Sequence, residues 1–319
     1  MSSSLALGVD IGGTKIAAGV VEEDGNILAM EKVPTPETPE GIEEAIAGLY
    51  QRLSQKYDID HVGLAAAGFV SSDRKTVMFA PNIDWRDHPL GGRVMALIDG
   101  NVDVVVENDA NAAGWGEYRF GNSAGGNMLM LTIGTGVGGA VIVDGNLLRG
   151  ASGAGAEVGH MRLVDGGERC GCGLRGCFEA YGSGNALERI AAERVQAALP
   201  GATVLEISKK THRVPGPSIS EAALDGDLVA IGAIKELGEW IGKGAASAAA
   251  LLDPDTIVVG GGVAAVGDLL FDSIRTSYED NLTGAGHRSV ARIVAARLAN
   301  DAGIVGAADL ARRATPSPA

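Results

Sequence analysis

Two stretches of this 319-residue chain follow one plan. Residues 5–21 read LALGV, DIGGTK, IAAGVV, and residues 128–143 read MLMLTI, GTGVGG, AVIV. Each is a β-prone apolar run, a glycine turn and a second β-prone run, which reads as a hairpin. A device used twice in a chain long enough for two domains points to two similar halves. Between the hairpins, Ile42, Ile46, Leu49, Tyr50 and Leu53 recur at helical spacing over residues 41–57. DHVGLAAAG and VDVVVE read as strands that stop at Gly68 and Glu107, and Leu90, Val94, Leu97 and Ile98 mark a helix between them. Further helices are expected at 184–199, 227–252, 267–280 and 301–313, and a strand in DPDTIVVGGG. The glycines of the long helix, Gly232, Gly238, Gly242 and Gly244, lower its propensity but permit close packing. Strands alternating with helices predict an α/β fold built on largely parallel sheet. The tail ATPSPA is expected to be disordered.

Composition removes several classes of partner. A formal charge of −14 without a basic patch argues against nucleic acid and anionic membranes. The start, MSSSLALGVD, lacks the basic region of a secretory signal. Residues 120–143 carry no charge, yet GNSAGGN and IGTGVGG would break or expose a helix in lipid, so no span is expected. A cytoplasmic, reducing location follows as the expectation, and with it few disulfides. The 48 glycines against 4 % aromatics suggest many places where backbone approaches a ligand or other backbone.

Four segments carry candidate chemistry. In DIGGTK, exposed amides of a glycine loop suit phosphate oxygens, and Asp10 suits Mg²⁺ directly or through water; a capped hairpin turn is the plainer reading. GTGVGG formally contains G-x-G-x-x-G at Gly134, Gly136 and Gly139. A dinucleotide fingerprint needs a helix next, whereas AVIVDG is a strand and turn, so the loop fits the phosphates of a nucleoside triphosphate better than NAD. NDANAAG places Asn108 and Asp109 at a strand's carboxyl end, where Asp109 is either a general base for a hydroxyl or an ordinary helix cap. Finally, RCGCGLRGC holds all three cysteines, Cys170, Cys172 and Cys177, downstream of His160 in GAEVGH. Three thiolates and one imidazole complete a closed tetrahedral site for a structural Zn²⁺, which shapes a loop without activating water. A disulfide would strand one thiol, and a redox centre more often reads Cys-x-x-Cys. Glu157 and Glu179 bracket this loop; alone each is a solvated acid, but fixed by a metal they can present carboxylates to sugar hydroxyls.

DIGGTK, the PN of APNIDW, ENDANAA, IGTGVGGAVI, GAEVGH, CGCGLRGCFE and VVGGG occur in this order. Together they resemble the ROK family of bacterial sugar kinases and sugar-responsive repressors, most of all its glucokinase branch, from Leu5 to about Ala311. The resemblance implies two actin-like, ribonuclease-H-like α/β domains around an active-site cleft. We place them at 1–118 and 119–300, with a C-terminal helix near 301–315 packing back on the first. It makes Asp109 the catalytic base and, with Asn82, Asn108, Glu157, His160, Glu179 and Gly68, a sugar contact. It sets Gly12, Gly13, Thr14 and Lys15 with Gly134, Thr135 and Gly136 against ATP phosphates, and Gly260, Gly261, Gly262 and Val263 near adenosine. His160 would bind zinc through one ring nitrogen and the sugar through the other. The implied reaction moves the γ-phosphoryl of Mg-ATP to the 6-hydroxyl of glucose, with domain closure excluding water.

Two rivals are disfavoured. A sugar-sensing repressor would need a helix-turn-helix ahead of DIGGTK, for which the chain leaves no room. A polyphosphate donor would favour a basic groove, which an acidic chain without Lys/Arg clusters does not offer. Kinases of mannose, fructose and N-acetylated hexosamines share these motifs, and family analogy favours a homodimer or homotetramer.

Overall fold

The computed structural model describes residues 4–81, 83–98, 102–123, 125–196, 203–204, 206–207 and 214–314. Asn82, the end of the helix expected to reach 199, and the tail beyond residue 314 lie outside them. The chain forms two compact units, residues 1–123 with 140–156 and 297–319, and residues 124–139 with 157–296.

The first unit is built on a sheet in which β1 (Leu5–Ile11) pairs antiparallel with β2 (Lys15–Val21), and β2 with β3 (Ile27–Pro34). On its other side β1 runs parallel to β4 (Ile59–Ala66), and β4 parallel to β8 (Asp103–Asn108), giving the order β3-β2-β1-β4-β8. Three short strands, β5 (Phe69–Val70), β6 (Val77–Phe79) and β7 (Arg86–His88), form a separate antiparallel sheet. Helix α1 (Pro39–Ser54) starts where sequence chemistry dictates: Thr38 caps it by accepting from the Gly41 amide, and Pro39 fills the first turn. Its Ile42, Ile46, Leu49 and Leu53 are buried with Leu7, Val9, Ile11, Val62, Leu64 and Trp85, and with Leu90 and Val94 of α2 (Leu90–Leu97). Leu97, counted on the apolar face of α2, is 42 % exposed, and Ile98 beyond the helix end is buried instead.

The opposite face of this sheet is covered by the C-terminal helix, called α9 below (Ala302–Arg312), and by α3 (Asp109–Phe120). That contact is made by backbone. A Cβ at Gly8 would lie 1.9 Å from the Ile304 carbonyl oxygen, one at Gly63 2.0 Å from that of Ala307, and one at Gly306 1.8 Å from that of Ala112. Glycine at all three positions lets the helix seat directly on β1, β4 and α3.

In the second sheet the order is β11 (Asn146–Leu147), β10 (Val137–Val143), β9 (Met128–Ile133), β12 (Thr256–Gly260), β13 (Arg292–Ala295), with β12 parallel to both β9 and β13. The second unit also carries α4 (Glu179–Gly182), α5 (Gly184–Gln196), α6 (Gly216–Leu224), α7 (Leu228–Leu252) and α8 (Asp268–Asn281). Asp227 caps α7 by accepting from the amides of Val229 and Ala230. A Cβ at Gly242 would meet the Ile274 carbonyl oxygen at 2.6 Å, so the glycines of α7 bring it against α8. No helix among the described residues is long and apolar enough to cross a membrane.

Gly63→Ala drives a methyl into the Ala307 backbone and should cost at least about 1–3 kcal/mol of stability. Gly92→Ala in α2 meets nothing within 4 Å and is the matched control, expected to be neutral or slightly stabilising. Urea midpoints of the two variants measure the difference.

Candidate functional site

β8 delivers Asn108 and Asp109 to the first turn of α3. Asn108, in extended conformation, is the cap: its Oδ1 accepts from the Asn111 amide at 2.9 Å. Asp109 is therefore spared from capping. Its Oδ1 accepts from its neighbour Ala110 N at 2.8 Å and from Asn108 Nδ2 at 3.1 Å. Asn108 Nδ2 also donates to the Gly68 carbonyl at 3.1 Å. Gly68 has a φ of 151°, and a Cβ there would lie 2.3 Å from the Phe79 carbonyl oxygen, so the turn carrying that carbonyl requires glycine.

The loop joining β1 and β2 is closed by Gly12 N donating to Lys15 O at 3.1 Å, and braced by the Thr35 hydroxyl donating to Gly12 O at 2.6 Å. Gly13, Thr14 and Lys15 are exposed, and nothing lies within 4 Å of where a Gly13 Cβ would sit. Burial pushes the Asp10 carboxyl above the usual range, with Lys15 opposing. A carboxylate desolvated at a strand end gains from a hard cation, so the residue fits the Mg²⁺ reading.

In the loop before β10, Gly134 N donates to Gly136 O at 3.0 Å, and the Gly184 amide at the start of α5 donates to Gly134 O at 2.8 Å. The two loop glycines serve different ends. Gly134 is open, whereas a Cβ at Gly136 would lie 2.2 Å from Glu179 Oε2. The same oxygen accepts from the Val137 amide at 3.0 Å. Gly136 is thus glycine because a carboxylate occupies the space, and Glu179 joins this loop to the cysteine loop. Gly261, with φ 90°, passes under the backbone of Ile133, and Gly262 and Val263 open a short 3₁₀ turn over residues 262–266.

One ligand atom each from His160, Cys170, Cys172 and Cys177 falls within a 4.8 Å cluster. A tetrahedral Zn²⁺ with Zn–S ~2.3 Å and Zn–N ~2.0–2.1 Å spaces two sulfurs by ~3.8 Å and a sulfur and nitrogen by ~3.6 Å. Cys172 and Cys177 Sγ are 3.7 Å apart, and Cys170 Sγ lies 3.6 Å from His160 Nδ1. The donor set fits zinc, and Nδ1 is the ring nitrogen turned to the thiols. Nε2 is left on the side of Glu157, 4.0 Å from its Oε2. Burial pushes the Cys170 thiol up to about 12 and raises Cys177, while the Leu174 amide holds Cys172 below the usual thiol range. Burial also raises the Glu157 carboxyl, with His160 opposing and Glu179 adding to the shift.

Asp109, Asn108 and Gly68 thus meet in the first unit, and Glu157, His160, Glu179 and the cysteines in the second. Sequence reasoning overlooked Glu107, a buried carboxylate one residue before Asn108. Its signal is a charge placed directly after the apolar run Val104, Val105, Val106.

The sequence profile of the ROK family matches residues 6–314, and the chain belongs to that family. It is 51 % identical to a glucokinase of Streptomyces coelicolor over 98 % of this chain and 99 % of the relative. The crystal structure of a ROK family glucokinase from Streptomyces griseus in complex with glucose and AMPPNP superposes with a TM-score of 0.86 at 49 % identity, covering 98 % of this chain and all of that one. An N-acetylmannosamine kinase of Escherichia fergusonii is 32 % identical over 96 % of this chain and 98 % of its own.

Elemental analysis of the purified protein should find about one zinc per chain. Cys172→Ser, which removes one of the four ligands, should lose it.

Proposed function

We propose that this chain is a glucokinase transferring the γ-phosphoryl of ATP to the 6-hydroxyl of glucose. The observation that carries the reading is full-length likeness, at about half identity, to a glucokinase crystallised with glucose and an ATP analogue. The local chemistry supports it. Asp109 opens α3 directly after the parallel strand β8, with its Oδ1 fixed by two N–H donors, so its carboxylate is oriented before substrate arrives. In the reaction the 6-oxygen bonds to the γ-phosphorus and the bond from that phosphorus to the β,γ-bridging oxygen breaks. The hydroxyl proton passes to Asp109, and ADP carries away the electron pair.

Asn108, Glu157, His160 and Glu179 are sugar contacts in this reading, and the loops at 12–15 and 134–136 offer phosphates their amides other than those of Gly12 and Gly134, which close the loops. Mg²⁺ near Asp10 supplies charge neutralisation on the phosphates when bound. Zinc on His160, Cys170, Cys172 and Cys177 does no chemistry; it holds the loop from which Glu157, His160 and Glu179 project. ATP as donor fits a cytoplasmic location. Glucose is preferred over other hexoses because the full-length likeness at about half identity is to glucokinases.

Asp109→Asn keeps the shape and removes the base. It should lower kcat by about 10²–10⁴-fold while leaving the calorimetric glucose Kd largely intact. Near-normal turnover by that variant contradicts the assignment. Cys172→Ser should weaken glucose binding along with metal loss, because the loop is no longer fixed.

A further inference from the structure

Glu107 is 3 % exposed, beneath the turn that carries Asp109, and none of the roles above uses it. Its Oε2 accepts a hydrogen bond from Arg149 Nε at 2.8 Å, and Arg149 Nη2 lies 2.8 Å from the same oxygen as an ion pair. Arg74 Nε lies 3.5 Å from the same oxygen. Its Oε1 accepts from the Asn108 amide at 3.3 Å and from Asn111 Nδ2 at 3.2 Å. Asn108 in turn donates to Asp109 Oδ1. A continuous chain of hydrogen bonds thus runs from Arg149 through Glu107 and Asn108 to Asp109.

Two guanidinium groups face this one carboxylate. Burial, then the charge of Arg149, bring the Arg74 guanidinium down to about 10, against the opposing pull of Glu107 and Asp103. Arg74 itself sits in the left-handed region, with φ 58°, and its carbonyl accepts from the Val106 amide at 2.9 Å. Arg149 arrives from the loop after β11, which glycine packs onto β5: a Cβ at Gly153 would lie 1.9 Å from the Val70 carbonyl oxygen. Stability alone does not call for such a cluster, since a buried ion pair is often matched or bettered by well-packed apolar side chains. Its value lies in directionality, because each bond fixes an angle as well as a distance.

We propose that Arg149 and Glu107 are positioning residues of the phosphoryl transfer, holding Asn108 and the first turn of α3 so that Asp109 is aimed at the acceptor hydroxyl. This rests on the reading of Asp109 as base. A displacement of about 1 Å at a reacting group can cost 10²-fold in rate, which sets the scale of the effect. Arg149→Met keeps the apolar stem and removes the guanidinium fork, and Arg149→Lys returns a charge able to make one bond.

The experiment measures kcat, calorimetric glucose Kd and melting temperature for Arg149→Met, Arg149→Lys and Asp109→Asn. Arg149→Met should lower kcat by ~30–100-fold and weaken glucose binding by a clearly smaller factor, because Asn108 is only one of the sugar contacts, with Arg149→Lys falling between it and the parent. Glu107→Gln, if it folds, should fall in the same direction. A lower melting temperature in Arg149→Met with kcat per folded molecule within about twofold of the parent means a structural brace only and overturns the proposal. If Asp109→Asn is inactive while Arg149→Met is normal, the positioning role alone fails. If Asp109→Asn turns over normally, the base assignment beneath it fails.

Discussion

The first unit depends on α9 lying against bare backbone. Gly8 and Gly63 on adjacent parallel strands open a channel beneath the helix, and Gly306 lets α3 close on it from the other side. Two strand ends and one helix start are thereby fixed to a single rigid element: β1 ends near Asp10, and β8 runs into α3 at Asn108. Side chains at these contacts would hold the helix off by a methyl or more and move every group that follows. On the face of the sheet that meets α9, close backbone packing is what spaces the acidic residues of this unit.

A second theme is the single carboxylate serving several neighbours. Glu179 accepts from the Val137 amide, lies 3.5 Å from the Cys170 thiol and leaves room at Gly136 for glycine alone. Glu107 links two arginines to two asparagines. Glu117, fully buried, accepts from the amides of Arg297 and Leu298 and so ties α3 to the segment entering α9. Glu107 and Glu117 are acids made tolerable in the interior by convergent donors, and all three carboxylates join segments distant in sequence.

Much of this architecture was legible from the residues. The β1–β2 hairpin follows from β-prone runs flanking DIGGTK, and the long helices from apolar spacing. The cysteine cluster follows from composition and spacing, because four soft donors within a short segment have few other uses. What escaped was long-range or local in scale. β3 alternates weakly between exposed and half-buried residues, as an edge strand does, and β5–β7 are two or three residues each, too short for a period. The need for glycine at Gly8 and Gly63 comes from α9, far away in the chain, and at Gly306, within α9, from α3. The pairing of Arg149 with Glu107 spans 42 residues and leaves no local pattern. Gly136 shows the same limit: the motif draws attention to the loop, but only the neighbouring Glu179 explains that glycine.

Glucose as acceptor, with ATP as donor, is what distinguishes this chain from an N-acetylmannosamine kinase that shares about a third of its sequence. The most direct test is the steady-state kcat/KM of the purified chain for glucose, mannose, fructose and N-acetylmannosamine, each with Mg-ATP or polyphosphate as donor. Glucose 6-phosphate should be the main product, with ATP the donor and glucose ahead of each other acceptor by at least about tenfold. Preferential phosphorylation of N-acetylmannosamine, or polyphosphate outperforming ATP, contradicts it.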